Sequence, residues 1–494
     1  MKLNQRRVRH LLTSVSAAAM IVGLTAEADA ACTVVGAGGL SNIATIDCIQ
    51  VTGTVIGNIV NSPPGTIRNQ FGATPTYTTH AILVISTLSG SIQNTGTILA
   101  DAPAATGNRR AINATAASVI TQGITNNGYV KAAGSGSVAG VFVGSSSFAG
   151  GIVNQPVGFI SGVSARTNNT GNALAAGIVL DGSIFNGGII NSGTVTAFAR
   201  LLPVGAGPAT GIAAAVGIAL DVSTFAGGIT SSGTILAKAG EAAGIGLGAV
   251  TKVGFLGAMG TFIGGITNTG LIQITATTSI GADIGVSIRT FFGGITNSGT
   301  LAATAQNFAD GIVIAASTFS GGVTNSGLID VTSKTDFANG FDLHGATYVG
   351  SLVNSGTINA VAHGASTAAG IFFNPSTFIG NVVNSGVINV TSGDTGYGIF
   401  AHVTTFGGGI TNSGKITVDS FFRHAFGIYT ESVSVLTGGI TNSGTISLTA
   451  PETAIGIYVQ VSTFNGGITN TGLIKVTASE NPGVGIYIAN GTST

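Results

Sequence analysis

The stretch TFIGGITNTGLIQI at 261–274 returns as TFSGGVTNSGLIDV at 318–331 and as TFNGGITNTGLIKV at 463–476, with looser copies along nearly the whole chain. Aligned on the central Asn, the copies run Asn61, Asn94, Asn126, Asn154, Asn191, Ser231, Asn268, Asn297, Asn325, Asn354, Asn384, Asn412, Asn442 and Asn470. From Asn268 onward the steps are 29, 28, 29, 30, 28, 30 and 28 residues, a period that marks a solenoid. Helical repeats of this length need long stretches of period 3.6. Here Gly, Thr, Asn and β-branched residues stand in short runs, which read as strands.

Six residues before the Asn stands an aromatic, as at Phe262, Phe291, Phe319 and Phe378, and two before it stands Ile, Val or Leu. These even offsets predict one inward-facing strand from the aromatic to the Asn. Gly two after the Asn predicts a sharp bend, and an apolar residue four after it (Ile272, Ile329, Ile358) opens a second strand. A third begins Gly-Ile, at Gly177, Gly217, Gly311, Gly370, Gly398, Gly427, Gly456 and Gly485. Three strands per 28–30 residues predict an all-β fold, a right-handed parallel β-helix with like residues stacked at ~4.8 Å. The Asn column could ligate Ca²⁺ or sugar. Its parity with the core residues predicts instead a ladder that satisfies buried turn groups.

Composition narrows the function. Seventeen basic residues balance 17 acidic ones, so no electrostatic case exists for nucleic acid as partner. With 44% hydrophobic residues the chain has ample material for a core, against disorder. Glycine, 79 of 494 residues, shows no collagen-like period.

Residues 1–30 read as a secretory signal: Lys2, Arg6, Arg7 and Arg9, an apolar stretch from Leu11 to Leu24, and the small-x-small site Ala28-Asp29-Ala30. Residues 31–60 then form an N-terminal cap. Its Cys32 and Cys48, the only cysteines, predict a disulfide in an oxidising compartment, with a reactive or metal-binding pair as the alternative. Residues 61–494 carry the repeats. The sequence stops at Thr494 after the strand Gly485-Ile486-Tyr487-Ile488, without a further repeat phrase, a terminal cap or a translocator barrel. The expectation is therefore a chain truncated downstream.

The signal, the early cysteine pair and the Gly-Ile-Thr-Asn-Ser-Gly-Thr-Ile coils together resemble the passenger region of bacterial autotransporters, the type Va secretion family. The resemblance covers about 32–494 and rests on repeat style. It implies a passenger exported through the inner membrane and either displayed at the cell surface or outer membrane or released outside the cell. There it would act as an adhesin-like rod. The implied partners are an outer-membrane translocator barrel, which has no counterpart in this sequence, and surface glycans or host proteins.

No enzyme is expected, and no catalytic, cofactor or metal set. The alternative is an extracellular polysaccharide lyase or hydrolase, which would need carboxylates paired across coils. Asp181 and Asp221, each four after its strand glycine, are the best candidates. Elsewhere the position holds Arg289, Ala315, His344, Asn374, His402, Glu431 and Gln460, which reads as a solvated turn.

Two departures from the repeat stand out. The residue after Gly-Ile is aromatic in five consecutive coils, Phe372, Phe400, Tyr429, Tyr458 and Tyr487. By alternation it faces outward, as a stripe for sugars or another protein, or as rings that stack on one another and shield the sheet. In addition, three coils are about ten residues longer, around 160–175, 197–212 and 237–260, with Arg166, Arg200, Lys238, Glu241 and Lys252 there. They predict loops projecting from one edge, between the second and third strands.

Overall fold

The computed structural model describes residues 32–71, 76–77, 79–101, 108–115, 118–144, 147–166, 171–202, 211–248 and 259–490. The expected signal at 1–30 lies outside the described residues. The chain is an all-β parallel solenoid of about 14 turns and three sheets, with no helix among the described residues. It divides into two compact units, Met1–Ile263 with Val286–Ile288, and Gly264–Gly285 with Arg289–Thr494.

One coil of the second unit shows how the repeat folds. Ile295–Asn297 contributes three residues to one sheet (sheet B), Thr300–Ala305 six to the next (sheet C), and Phe308–Ser320 thirteen to the third (sheet A). The chain then re-enters sheet B at Val323–Asn325, with Ile295 beside Val323 and Asn297 beside Asn325. Along the next sheet C strand, Leu328–Ser333, Ile329, Val331 and Ser333 are buried, while Leu328, Asp330 and Thr332 are more open. That two-residue period turns one face to the core.

Contrary to what the even offsets predict, the aromatic and the Asn do not share one strand. Phe319 lies near the end of the sheet A strand, and Gly321-Gly322 breaks the chain before Val323 opens sheet B. The corner needs glycine twice over. Gly321 has φ +145°, and a Cβ there would lie 1.9 Å from the Gly293 carbonyl oxygen of the preceding coil. The Gly after each Asn also has a different reason from the one its bend suggests. A Cβ on Gly299 would meet the Gly270 oxygen at 2.1 Å, so close coil-to-coil approach excludes a side chain.

Inside, like stacks on like. Phe148, Phe185, Phe225 and Phe262 form a column in the first unit, with ring centroids 4.6, 5.1 and 5.0 Å apart and planes within 8°. Phe291, Phe319, Tyr348 and Phe378 do the same in the second, at 4.7, 4.7 and 4.9 Å. Each Asn side-chain amide donates to the Oδ1 of the next, Asn61 to Asn94 and onward to Asn191 in the first unit, where Asn191 donates to the Ser231 Oγ, and Asn268 through Asn470 in the second. The ladder is structural, as its parity predicts. It starts at Asn42, which donates to Asn61 at 2.8 Å. The 19-residue step hides that rung from a search at the repeat period.

Cys32 and Cys48 are disulfide-bonded, with Cα atoms 4.7 Å apart. The long coils differ from expectation in one place. In the first two, the excess extends the sheet C strands to Phe159–Arg166 and Thr194–Leu201, before segments outside the described residues. In the third, Thr234–Ala239 leads almost directly into Glu241–Gly248, so the excess falls later, at 249–258. Those ten residues, Lys252 among them, lie outside the described residues. Glu241 is buried within its strand rather than carried on a projecting loop.

Candidate functional site

Sheet A is where coils differ most, and its glycine explains the geometry. A Cβ on Gly370, Gly398 or Gly427 would strike an isoleucine Cγ2 of the core at 2.2–2.5 Å. In the pairing register the residues on either side of this glycine align from coil to coil: Tyr397 with Phe426, Ile399 with Ile428, Phe400 with Tyr429. The strand bends at the glycine, so residues three apart come to one side. Tyr397 and Phe400 have ring centroids 4.6 Å apart, and so do Phe426 and Tyr429.

Two rows result on the outer face of the second unit's sheet A. One runs Ala369, Tyr397, Phe426, Ile455 and Val484; the other runs Phe372, Phe400, Tyr429, Tyr458 and Tyr487. They close on each other as one apolar cluster. The expected stripe therefore divides. Phe372, Phe400 and Tyr429 are buried at 4, 9 and 7% exposure, so they form no exposed ligand surface. Tyr458 is partly open and Tyr487 is 46% exposed. Tyr429, Tyr458 and Tyr487 stack in near-parallel planes at 4.5 and 5.4 Å, so their faces are largely engaged with each other. The inner three meet edge to face instead, Phe372 on Phe400 and Phe400 on Tyr429 at 5.1 Å, and so shield the sheet by packing on one another.

Around Tyr429, Glu431 sets the electrostatics. Burial raises the Tyr429 phenol well above its usual range, and the Glu431 carboxylate raises it further by its charge and by a hydrogen bond. Burial and then Glu431 also raise Tyr397 and Tyr458. His402 is pulled down by burial, against the pull of Glu431, and it sits edge-on to Phe400 at 6.2 Å.

At the other end the same rows become polar. The Asn339 amide donates to Asp310 Oδ1 at 2.8 Å. His344 Nε2 lies 2.8 Å from Asp342 Oδ1, and its ring is tilted over Phe372 at 5.5 Å. Asp310 and Asp342 are buried at 4 and 0% exposure, which closes both carboxylates to a polymeric substrate. Sequence reasoning singled out neither, because no two-residue alternation predicts that Asn339 and Asp342 share a face. The position read as a solvated turn is also corrected: Ala315, His344 and Asn374 align within the long strands of sheet A.

Asp181 and Asp221 pair in register on adjacent strands of the first unit, as their spacing predicts. Asp181 is exposed and Asp221 partly so.

These coils define the class as a parallel β-solenoid with a bent, side-chain-bearing outer sheet. Within it, residues 291–494 match the family described as the BigA third pectate lyase-like domain, a stretch that lies in the second unit. No curated protein matches the chain. No solved structure matches it either.

Proposed function

We propose that this chain is an exported, surface-displayed β-helical passenger of the autotransporter type, acting as an adhesin-like rod. The observation that carries the reading is the BigA match across 291–494 on a parallel solenoid, which supports an extracellular or surface setting. The closing of the aromatic rows on each other fits a scaffold made stiff by its own side chains. In the second unit, burial withdraws Phe372, Phe400 and Tyr429 from ligand contact.

A polysaccharide lyase or hydrolase is favoured by one observation, the pectate lyase-like description of the matched family. Against it, within the matched stretch Asp310 and Asp342 are buried and engaged with neighbouring side chains, whereas cleavage there needs open carboxylates on either side of a glycosidic bond. The test combines location with turnover. Expressed in a Gram-negative cell with its own flanking sequence, the chain should be degraded by protease added to intact cells. The purified chain should bind glycans or host-cell surfaces without shortening polysaccharide. Protection from protease until the outer membrane is opened would overturn surface display, and release of oligosaccharides that Asp310→Asn and Asp342→Asn abolish would overturn the binding role.

A further inference from the structure

The outer face of sheet A in the first unit carries a different set of side chains, brought together across three neighbouring strands. Arg110 on Arg109–Ala114 lays its guanidinium over the ring of Phe142 on Ser137–Val143, with Cζ 3.4 Å from the ring centroid. Its Nη1 donates to Asn113 Oδ1 at 3.1 Å. That places the planar cation on an aromatic face and fixes its rotation. The Phe142 ring reaches toward the next strand over Gly144, where a Cβ would lie 2.7 Å from the ring and 3.3 Å from the Asp181 carbonyl oxygen. Asp181, exposed on Ala173–Asn186, stands two residues past Val179, the register partner of Phe142, and its charge acts on Arg110.

Arg110 has no carboxylate within ion-pair distance among the described residues. Burial lowers its pKa to about 10, against the pull of Asp181, so it stays charged at neutral pH. His80, beside it in register, is pushed down to about 4 by burial and then by Arg110 and Arg109, and so adds no second charge. The result is a partly open, oriented guanidinium with unused donors, an aromatic beneath it and a free carboxylate alongside.

We propose that Arg110, Phe142 and Asp181 form a binding site for an anionic saccharide, with Arg110 taking a carboxylate or sulfate oxygen pair and Asp181 accepting sugar hydroxyls. A guanidinium held flat offers two parallel donors to such a group, and a carboxylate beside it selects a ligand rich in hydroxyls over a bare anion. This site lies outside the stretch matched to BigA and stands independently of the surface-display reading. It also absorbs Asp181, the carboxylate that spacing singled out, without asking it to perform catalysis.

Binding of the whole chain to alginate, dextran sulfate, neutral dextran, polyglutamate and inorganic sulfate, followed by calorimetry at low and high salt, tests the proposal. Alginate or dextran sulfate should bind at least tenfold more tightly than dextran or polyglutamate, weakening with salt, and which of the two wins separates carboxylate from sulfate. Arg110→Gln should lose at least tenfold, and Arg110→Lys several-fold through loss of the flat fork. Asp181→Asn decides the saccharide part. It should weaken the polysaccharide several-fold while strengthening inorganic sulfate, because removing a negative charge helps a simple anion. Asp181→Asn strengthening both, polyglutamate equalling alginate, or Arg110→Lys binding like the parent chain at an unchanged melting temperature would each overturn it.

Discussion

The side-chain amide of Asn354 donates to Oδ1 of Asn384 at 2.8 Å, and its own Oδ1 accepts the same bond from Asn325 at 2.8 Å. Truncating Asn354 to Ala removes both bonds and the amide's donations to the Gly356 and Val387 oxygens. It strands the buried Oδ1 of Asn384, while Asn325 Nδ2 keeps the Gly327 and Thr357 oxygens. The expected cost is about 3 kcal/mol. Asn354→Ser should cost about half that, since Ser231 already serves as a rung by accepting from Asn191 at 3.3 Å. Hydrogen exchange of the coils holding Asn325 and Asn384 checks this more directly than a global melt, because solenoid stability is a sum of neighbouring terms.

Tyr348 takes the place of a phenylalanine in the aromatic column, between Phe319 and Phe378. Its hydroxyl is buried without a hydrogen-bond partner. Tyr348→Phe keeps the ring and removes the orphan, and should stabilise the second unit by about 1 kcal/mol. Urea unfolding read on that unit is the measurement, and a loss of stability would show that the hydroxyl is satisfied in solution.

Asp283 stands eight residues before Phe291, where Gly311 stands eight before Phe319. It is fully buried, and neither carboxylate oxygen has a hydrogen-bond partner. Burial, with Asp330 adding repulsion, raises its pKa well above the ordinary value. A carboxyl protonated more readily in the folded than in the unfolded state contributes most below the unfolded pKa of about 4. That contribution falls as pH rises through the interval up to the folded value. The chain should therefore lose stability from pH 4 toward neutrality through this group. Asp283→Gly should remove that slope and add about 2 kcal/mol at pH 7, and parallel stability–pH curves for the two proteins would sink the assignment.

The two ends of the aromatic row should respond oppositely to mutation. Phe400→Ala empties a buried ring position and should cost about 3–4 kcal/mol. Tyr487→Ser, at 46% exposure, should change stability by about 0.5 kcal/mol or less. If Tyr458 and Tyr487 meet a ligand, their double Ser variant should lose surface binding while its melting curve stays close to that of the parent chain. Unchanged binding would confine the second unit's aromatics to a structural role.

The disulfide closes a short loop at the start of the described chain. Replacing Cys32 and Cys48 by Ser should destabilise the first coils by roughly 3 kcal/mol in the chain-entropy model. Exchange protection should fall around Ile49 and Ile59, while the second unit melts as before.

How much of this was legible follows from which residues repeat. The 28–30-residue step, the Asn column and the alternating Ile and Val positions are local and periodic, and they specify parallel coils with an Asn ladder. The Gly-Gly corner was not legible, because even offsets from Phe319 to Asn325 look like one strand whether or not a break intervenes. The outer rows were hidden for a related reason. The bend at Gly398 puts Tyr397 and Phe400 on one side, where alternation sets them on opposite sides, so the buried aromatic cluster and the Asp310–Asn339 contact emerge only in three dimensions. Arg110 carried no signal either, since its partner Phe142 is 32 residues away in sequence.

Every bond of the Asn ladder points one way. In the second unit each Nδ2 from Asn268 to Asn442 donates to the Oδ1 of the Asn that follows in sequence, never the reverse. Amide dipoles aligned head to tail polarise one another and add, so the column carries a polarity of its own, separate from that of the backbone. A coil grafted in with its amide flipped would set donor against donor on one side and acceptor against acceptor on the other. The ladder thus fixes the rotamer of every Asn in it, whose Nδ2 must face the coil that follows.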